Sequence, residues 1–459
     1  MTFLPNSLAA RDIETIVHPQ TDLRSHLERG PDMITRGSGV CIYDEDGKEY
    51  IDGAAGLWCA SLGFASERLA KVAYDQMVKL GYYHLYRHNS NEPSVLLAEE
   101  LLKIAPVPMA KVLFQCSGSE ANDAAIKLAW YYFNAQGKPE KCKIIGRQRG
   151  YHGSTAAAIS VSGKPDMHAD FNLPFDMFRH TSFPHYYTQH RDGESEEDFA
   201  TRMAQDLEDL ILAEGPETVA AFFAEPVMGA GGGIVPPQTY FAKIQAVLRK
   251  YDVLFIADEV ICGFGRTGNM WGSQTFDLQP DMISSAKALS AAMQPISALL
   301  INDRVYQGML SESDKLGSFA HGSTYAGHPV AAAVALETLK IYEEIDVVDR
   351  ARTVGAVLNE RLKALESHPL VGNANGVGLM GGLELVADKE TRTPFDPSLG
   401  VGSRVGDAAR ERGLICRIVG DRVVFSPPLV ITEAEVHQLA DRLTGALDAV
   451  SAQIAGLAR

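Results

Sequence analysis

Between Val112 and Ile301 the chain alternates short, almost wholly apolar runs with helix-length amphipathic stretches, and no other feature restricts its fold so strongly. The runs Val112–Cys116, Lys143–Gly146, Val219–Glu225, Val253–Asp258, Met282–Ala286 and Ile296–Ile301 read as strands. Glu120–Phe133, Glu196–Ala213 and Tyr240–Lys250, which fall between them, carry helical patterning. Unalternating apolar strands separated by helices imply a mostly parallel sheet covered on both faces. In such α/β sheets ligands bind beyond the carboxyl ends of the strands, so polar residues there come first.

The flanks differ from this core. Met1 to about Pro31 is polar and weakly patterned and reads as an arm. Gly37–Asp52 alternates apolar and polar residues about a turn at Asp44–Gly47, the pattern of a β-hairpin. After Pro329 come helical runs at Val330–Glu344 and Val354–Glu366, short strands at Gly378–Leu385 and Arg422–Phe425, and a last helix over Thr432–Ala455. The expected division is an arm and hairpin over 1–60, a large domain over 61–330 and a small α/β domain over 331–459 that the hairpin joins.

With 58 acidic against 42 basic side chains the net charge is -16, and no basic run relieves it. Such a surface repels phosphate backbones and anionic lipid, so neither nucleic acid nor a membrane is an expected partner. No apolar stretch approaches the ~18 residues that span a bilayer. The six cysteines form no C-x-x-C pair and read as reduced, buried thiols. Met1–Gly30 lacks a secretory pattern, and a cytoplasmic protein is expected.

Two motifs mislead. G-x-G-x-x-G occurs at Gly263–Gly268 and Gly376–Gly381, but neither follows a strand and opens a helix, so both read as loops. His84 and His88 are spaced as a zinc pair, yet Leu85 stands where that motif needs glutamate and the segment is poorly helical. No other His, Cys or Asp cluster has metal-ligand spacing, and no metal is expected.

Three features belong together. Over Val112–Phe133 a strand runs through Ser117-Gly118-Ser119 into a helix, with Ser117 and Glu120 spaced as a capping box. Free amides at that helix start form an anion cradle, although a capped helix with no ligand gives the same pattern. Asp258 and Glu259 end an apolar strand, either as surface residues or, as the apolar neighbours favour, as buried counter-charges. Lys287 follows the next apolar run. It is either a snorkelling surface lysine or a desolvated, imine-forming one. Together the three match pyridoxal 5′-phosphate, which needs a phosphate site, a carboxylate at its pyridine nitrogen and an amine to hold its aldehyde.

The blocks DGAAGLWCASLGF, SGSEANDAAIKLAW, GYHGST, AEPVMGAGGGIVPP, ADEVICGFGRTG, SSAKALSAAMQPISA and HGSTYAGHP follow in this order. They resemble the class III (ω-)aminotransferases of the fold-type I pyridoxal-phosphate superfamily over almost the whole chain. The resemblance implies a large domain on a mostly parallel seven-stranded sheet, with a smaller α/β domain drawn from both termini. It implies that Lys287 holds the cofactor aldehyde and shuttles a proton, that Asp258 pairs with the pyridine nitrogen and that Glu225 supports the ring-hydroxyl side. Tyr151 would stack on one ring face and Val260 pack the other, with His152 also in the cofactor site. Gly118 and Ser119 would bind the phosphate, joined by Thr324 of a second subunit, which implies a homodimer with shared sites, or a tetramer built from it.

On the substrate side the resemblance is to pyruvate-using ω-transaminases. Trp58 would border the pocket and Arg417 would take a carboxylate, with Arg422 a nearby competitor. Tyr86, in the loop Tyr82–His88, would line the neighbouring subunit's pocket. The implied partners are an amine donor and a keto-acid acceptor. The implied reaction moves the amino group of an amine or ω-amino acid to pyruvate, ping-pong through pyridoxamine phosphate. The same cofactor residues also serve aminomutases and decarboxylating dialkylglycine-type enzymes. A non-catalytic binding subunit is the remote alternative, against which the retention of Lys287, Asp258 and the phosphate loop argues.

Overall fold

The computed structural model describes residue 4 and residues 6–457; the outermost parts of the expected arm and of the last domain lie outside the described residues. The six expected strands form one sheet with a seventh, Phe178–Thr181. The spatial order is Lys111–Gln115, Ser297–Ile301, Met282–Ser285, Leu254–Asp258, Val219–Ala224, Lys143–Arg147, Phe178–Thr181. Ser297–Ile301 runs antiparallel to both its neighbours, and the other pairings are parallel.

Both faces are covered, as the unalternating apolar runs require. Side chains along a strand point to opposite faces in turn. Phe222 and Phe255 therefore pack with Phe199, Leu207 and Phe241 of the helices Glu196–Glu214 and Tyr240–Lys250. Phe223 and Ile256 pack on the other side with Ala125, Leu128 and Phe133 of the helix Gly118–Ala135.

Two smaller sheets flank this one. Strands Ile34–Ser38, Cys41–Asp44 and Glu49–Asp52 are joined by Leu414–Ile415, which pairs in parallel with Glu49–Asp52 and ties the two ends of the chain together. The second sheet comprises Val371–Val377, Met380–Leu385, Arg422–Phe425 and Arg417–Val419. One continuous core runs from Phe114, Ala257 and Leu300 of the large sheet, past Val40 and Ile51, to Leu383, Val423 and Leu443.

Several expectations need correction. The arm is not featureless: Leu8–Thr15 and Leu23–Arg29 are short helices, capped by Ser7 and Asp22. Gly376–Gly381 is a β-hairpin rather than an open loop, with Gly376 opposite Gly381 and a turn at Gly378, φ +54°. Gly263–Gly268 is a run of turns that opens no helix, as expected. The six cysteines are free, but only Cys262 is fully buried. Among the described residues no helix is long and apolar enough to cross a membrane.

Candidate active site

A cavity of about 680 Å³ opens beyond the carboxyl ends of Val219–Ala224 and Leu254–Asp258. Gly118, Ser119, Tyr151, His152, Glu225, Asp258, Val260, Lys287, Trp58 and Arg417 all line it, so residues far apart in sequence meet in one place.

The helix Gly118–Ala135 aims its first turn into the cavity. Ser117 caps it, its Oγ accepting from Glu120 N at 3.2 Å. The expected reciprocal bond is shifted by one residue: Glu120 Oε2 accepts from Cys116 N at 2.8 Å, not from Ser117. Ser119 Oγ accepts from Ser154 N at 3.0 Å, which seats the turn after Tyr151 on the helix start. Two glycines allow this approach. A Cβ on Gly118 would stand 3.0 Å from both methyls of Val260, and one on Gly153, at φ +145°, would stand 2.6 Å from Ser119 Oγ. A helix start stripped of side-chain bulk, with the partial positive charge of its end, suits a phosphate.

Asp258 ends its strand buried, and three donors orient it. Oδ2 accepts from Asn122 Nδ2 at 2.9 Å and lies 2.8 Å from His152 Nδ1, while Oδ1 accepts from Val260 N at 3.0 Å. Glu225 accepts from Tyr151 N at 3.2 Å and Gly229 N at 2.8 Å, and burial raises its pKa. Glu259 has a different task. It turns away from the cavity to accept from Gly272 N, at 2.9 Å, and from the amide and hydroxyl of Ser273, and burial pushes its pKa up to about 7.

Lys287 begins a 3-10 turn directly after the strand Met282–Ser285, with φ +50°. Its Nζ lies 5.4 Å from the centre of the Trp58 ring. Desolvation lowers its pKa, opposed by the charges of Asp258 and Cys59, a shift in the direction of the uncharged, nucleophilic amine. Arg417 reaches the same ring, its Cζ 5.9 Å from the centroid. Arg417 Nε and Trp58 Nε1 are buried without hydrogen-bond partners, so the cavity wall offers donors that a ligand can use. Arg422, the competitor, is buried elsewhere and bonded to Gly232 O and Glu384.

Two predicted residues do not join this chain's own cavity. Thr324 is exposed, its carbonyl accepting from Tyr82 OH at 2.8 Å. Tyr86 is exposed too, against Gly322. His84 and His88 lie outside any helix, and His84 stacks on Tyr83 instead. Conversely, Pro19, Gln20 and Thr21 of the arm, with Lys164, Asp166 and Met167, line the cavity unannounced by any local pattern.

A mostly parallel sheet with a bulk-free helix start, a braced aspartate and a recessed lysine at its strand ends offers the donor set that pyridoxal phosphate needs. The Aminotransferase class-III profile matches residues 26–447. Gamma-aminobutyrate transaminase 1 of Oryza sativa subsp. indica, a mitochondrial protein, is 50% identical over 428 residues, which span 93% of this chain and 83% of the relative. The chloroplastic gamma-aminobutyrate transaminase 3 of Solanum lycopersicum is 46% identical over 444 residues, 95% of this chain and 85% of that one. Among solved structures, the omega transaminase of Pseudomonas jessenii in complex with PMP superposes with a TM-score of 0.96 at 51% identity, covering 98% of this chain and 99% of the other. The chain belongs to the class III aminotransferases and is a pyridoxal-phosphate-dependent aminotransferase.

Proposed function

We propose that the protein transfers the amino group of an ω-amino acid or amine to pyruvate, ping-pong, with the cofactor alternating between its aldehyde and amine forms. Bound pyridoxal phosphate supplies the aldehyde that stores the amino group and a protonated ring that draws electrons from the reacting carbon. Lys287 would hold that aldehyde at rest and, with its amine freed, would move the proton taken from the donor carbon. Asp258, steadied by Asn122 and His152, would face the ring nitrogen. Tyr151 and Val260, which line the cavity, would enclose the ring, Glu225 would serve its hydroxyl side, and Gly118 and Ser119 would take the phosphate.

The observation that carries the substrate reading is that Lys287 and Arg417 both approach the Trp58 ring, with Arg417 Nε buried and unpartnered. A donor amine brought to Lys287 can present its far carboxylate to a planar guanidinium, and pyruvate presents its own in the second half-reaction. Curated relatives named for γ-aminobutyrate, an ω-amino acid, support the donor class.

The exposure of Thr324 and Tyr86 supports a homodimer in which each copy completes its partner's site. The pairing of Glu49–Asp52 with Leu414–Ile415 supports a small domain formed by 1–60 with 331–459 around a large one at 61–330. Six free thiols support a reducing compartment such as the cytoplasm.

The test is a panel of γ-aminobutyrate, β-alanine, a polyamine and an aromatic amine, each with pyruvate, followed by alanine formation. The expected result is alanine from at least one donor with parallel initial-rate lines. Carbon dioxide release or donor isomerisation without alanine rejects the reading.

A further inference from the structure

The arm carries a second set of converging donors, apart from the cofactor site. Asp12 stands in the helix Leu8–Thr15, His18 in the irregular segment after it and His26 in the helix Leu23–Arg29. Both imidazoles turn Nε2 toward one carboxylate oxygen. Asp12 Oδ1 lies 2.8 Å from His18 Nε2 and 3.2 Å from His26 Nε2. The three ligand atoms all fall within 4.8 Å of one another. The two rings lie 4.1 Å apart, and the Asp12, His18 and His26 side chains are 13%, 29% and 9% exposed.

The geometry resembles a metal site before the ion enters. Donors about 2.0–2.1 Å from a tetrahedral zinc stand about 3.4 Å from each other, close to the spacing already present. Two imidazole nitrogens and one carboxylate oxygen form a borderline set that suits zinc, nickel or copper, and three protein ligands leave a position for water. Sequence spacing hides the site, because the ligands are 6 and 14 residues from Asp12 and on three different elements.

Among the described residues the arm buries little apolar surface. Ala9 is buried, but Leu8, Ile16, Val17, Leu23 and Leu27 are exposed, and none belongs to the hydrophobic clusters of the body. The turn between the helices is the piece of the arm that matters to the enzyme, since Pro19, Gln20 and Thr21 border the cavity. We propose that Asp12, His18 and His26 bind one divalent transition-metal ion of the zinc type, which clasps the two arm helices and fixes Pro19–Thr21 at the rim of the active-site cavity. The site stands independently of the substrate reading.

The test uses untagged, full-length holoenzyme, stripped with a chelator, equilibrated with zinc chloride and desalted. Metal analysis compares it with an Asp12→Asn/His26→Gln variant whose cofactor absorbance shows that it is folded. The native chain is expected to retain one zinc more per chain than the variant, with the single His26→Gln change weakening binding by about tenfold or more. The cysteines are common to both chains and cancel. A second measurement needs no substitution: tryptic cleavage at Arg24 and Arg29 of the native protein should slow with zinc but not with magnesium, a hard ion that prefers oxygen ligands. Equal zinc in native and variant chains, or arm cleavage indifferent to zinc, overturns the proposal.

Discussion

Lys287 and Trp58 both hold left-handed backbone conformations, at φ +50° and +59°, and meet with the lysine Nζ 5.4 Å from the indole centroid. Neither side chain adopts that backbone freely, and each such residue costs of order 1–3 kcal/mol. The strain persists because well-packed neighbours hold it, and it falls where the reacting amine must be aimed. Trp58 also receives the Arg417 guanidinium, so one aromatic wall stands beside both the amine and the guanidinium.

Replacing that amine tests its role directly. Lys287→Ala is expected to abolish alanine formation and the absorbance band of the lysine-bound cofactor, and Lys287→Arg should behave alike because a guanidinium does not hold an aldehyde. Spectra and turnover of the purified variants check this; measurable turnover by Lys287→Ala would remove lysine from the mechanism.

Arg417 should discriminate between substrates. Loss of a charge-assisted hydrogen bond costs roughly 1.5–3 kcal/mol, about 10- to 100-fold in kcat/KM. Arg417→Ala is therefore expected to lose that much toward pyruvate and ω-amino acids while use of a carboxylate-free amine changes little. Half-reaction rates with each substrate decide it, and equal losses throughout refute a carboxylate-binding role.

The phosphate cradle should be intolerant of one methyl group. In Gly153→Ala the added carbon would sit 2.6 Å from Ser119 Oγ and 2.7 Å from Ser119 Cα, so the turn must part from the helix start. Cofactor retention after dialysis is expected to fall about tenfold while the circular dichroism spectrum stays native. Unchanged retention would mean that the two segments need not touch.

Glu259 predicts a pH dependence of stability. Its carboxyl titrates near 4.5 in the unfolded chain and about 7 when buried. The raised folded value means its contribution is complete below 4.5 and is lost as pH rises through about 7. Between about pH 5 and about pH 8 the native protein should lose roughly 2–3 kcal/mol relative to Glu259→Gln. Urea midpoints of both proteins at the two pH values measure the difference; a constant gap contradicts the burial argument.

Much of this site is legible in the chain itself, for a physical reason. Asp258 and Lys287 interrupt long apolar runs, and polarity that breaks at a strand end marks the place where a parallel sheet binds ligands. Phe178–Thr181 escapes notice because it is an edge strand with a single neighbour, and its central Arg179 and His180 are only half-buried. Pro19–Thr21 and Lys164–Met167 reach the cavity by tertiary docking, which leaves no local period to read. The choice between Arg417 and Arg422 likewise needed surroundings: one arginine borders the cavity, and the other is committed to Glu384.

The cavity draws one wall from Pro19–Thr21 and another from Arg417–Gly420. A polypeptide still emerging from the ribosome thus carries Gly118 to Lys287 of the cavity before the wall at Arg417–Gly420 is made. Enclosure of the cavity is therefore a late event in biogenesis.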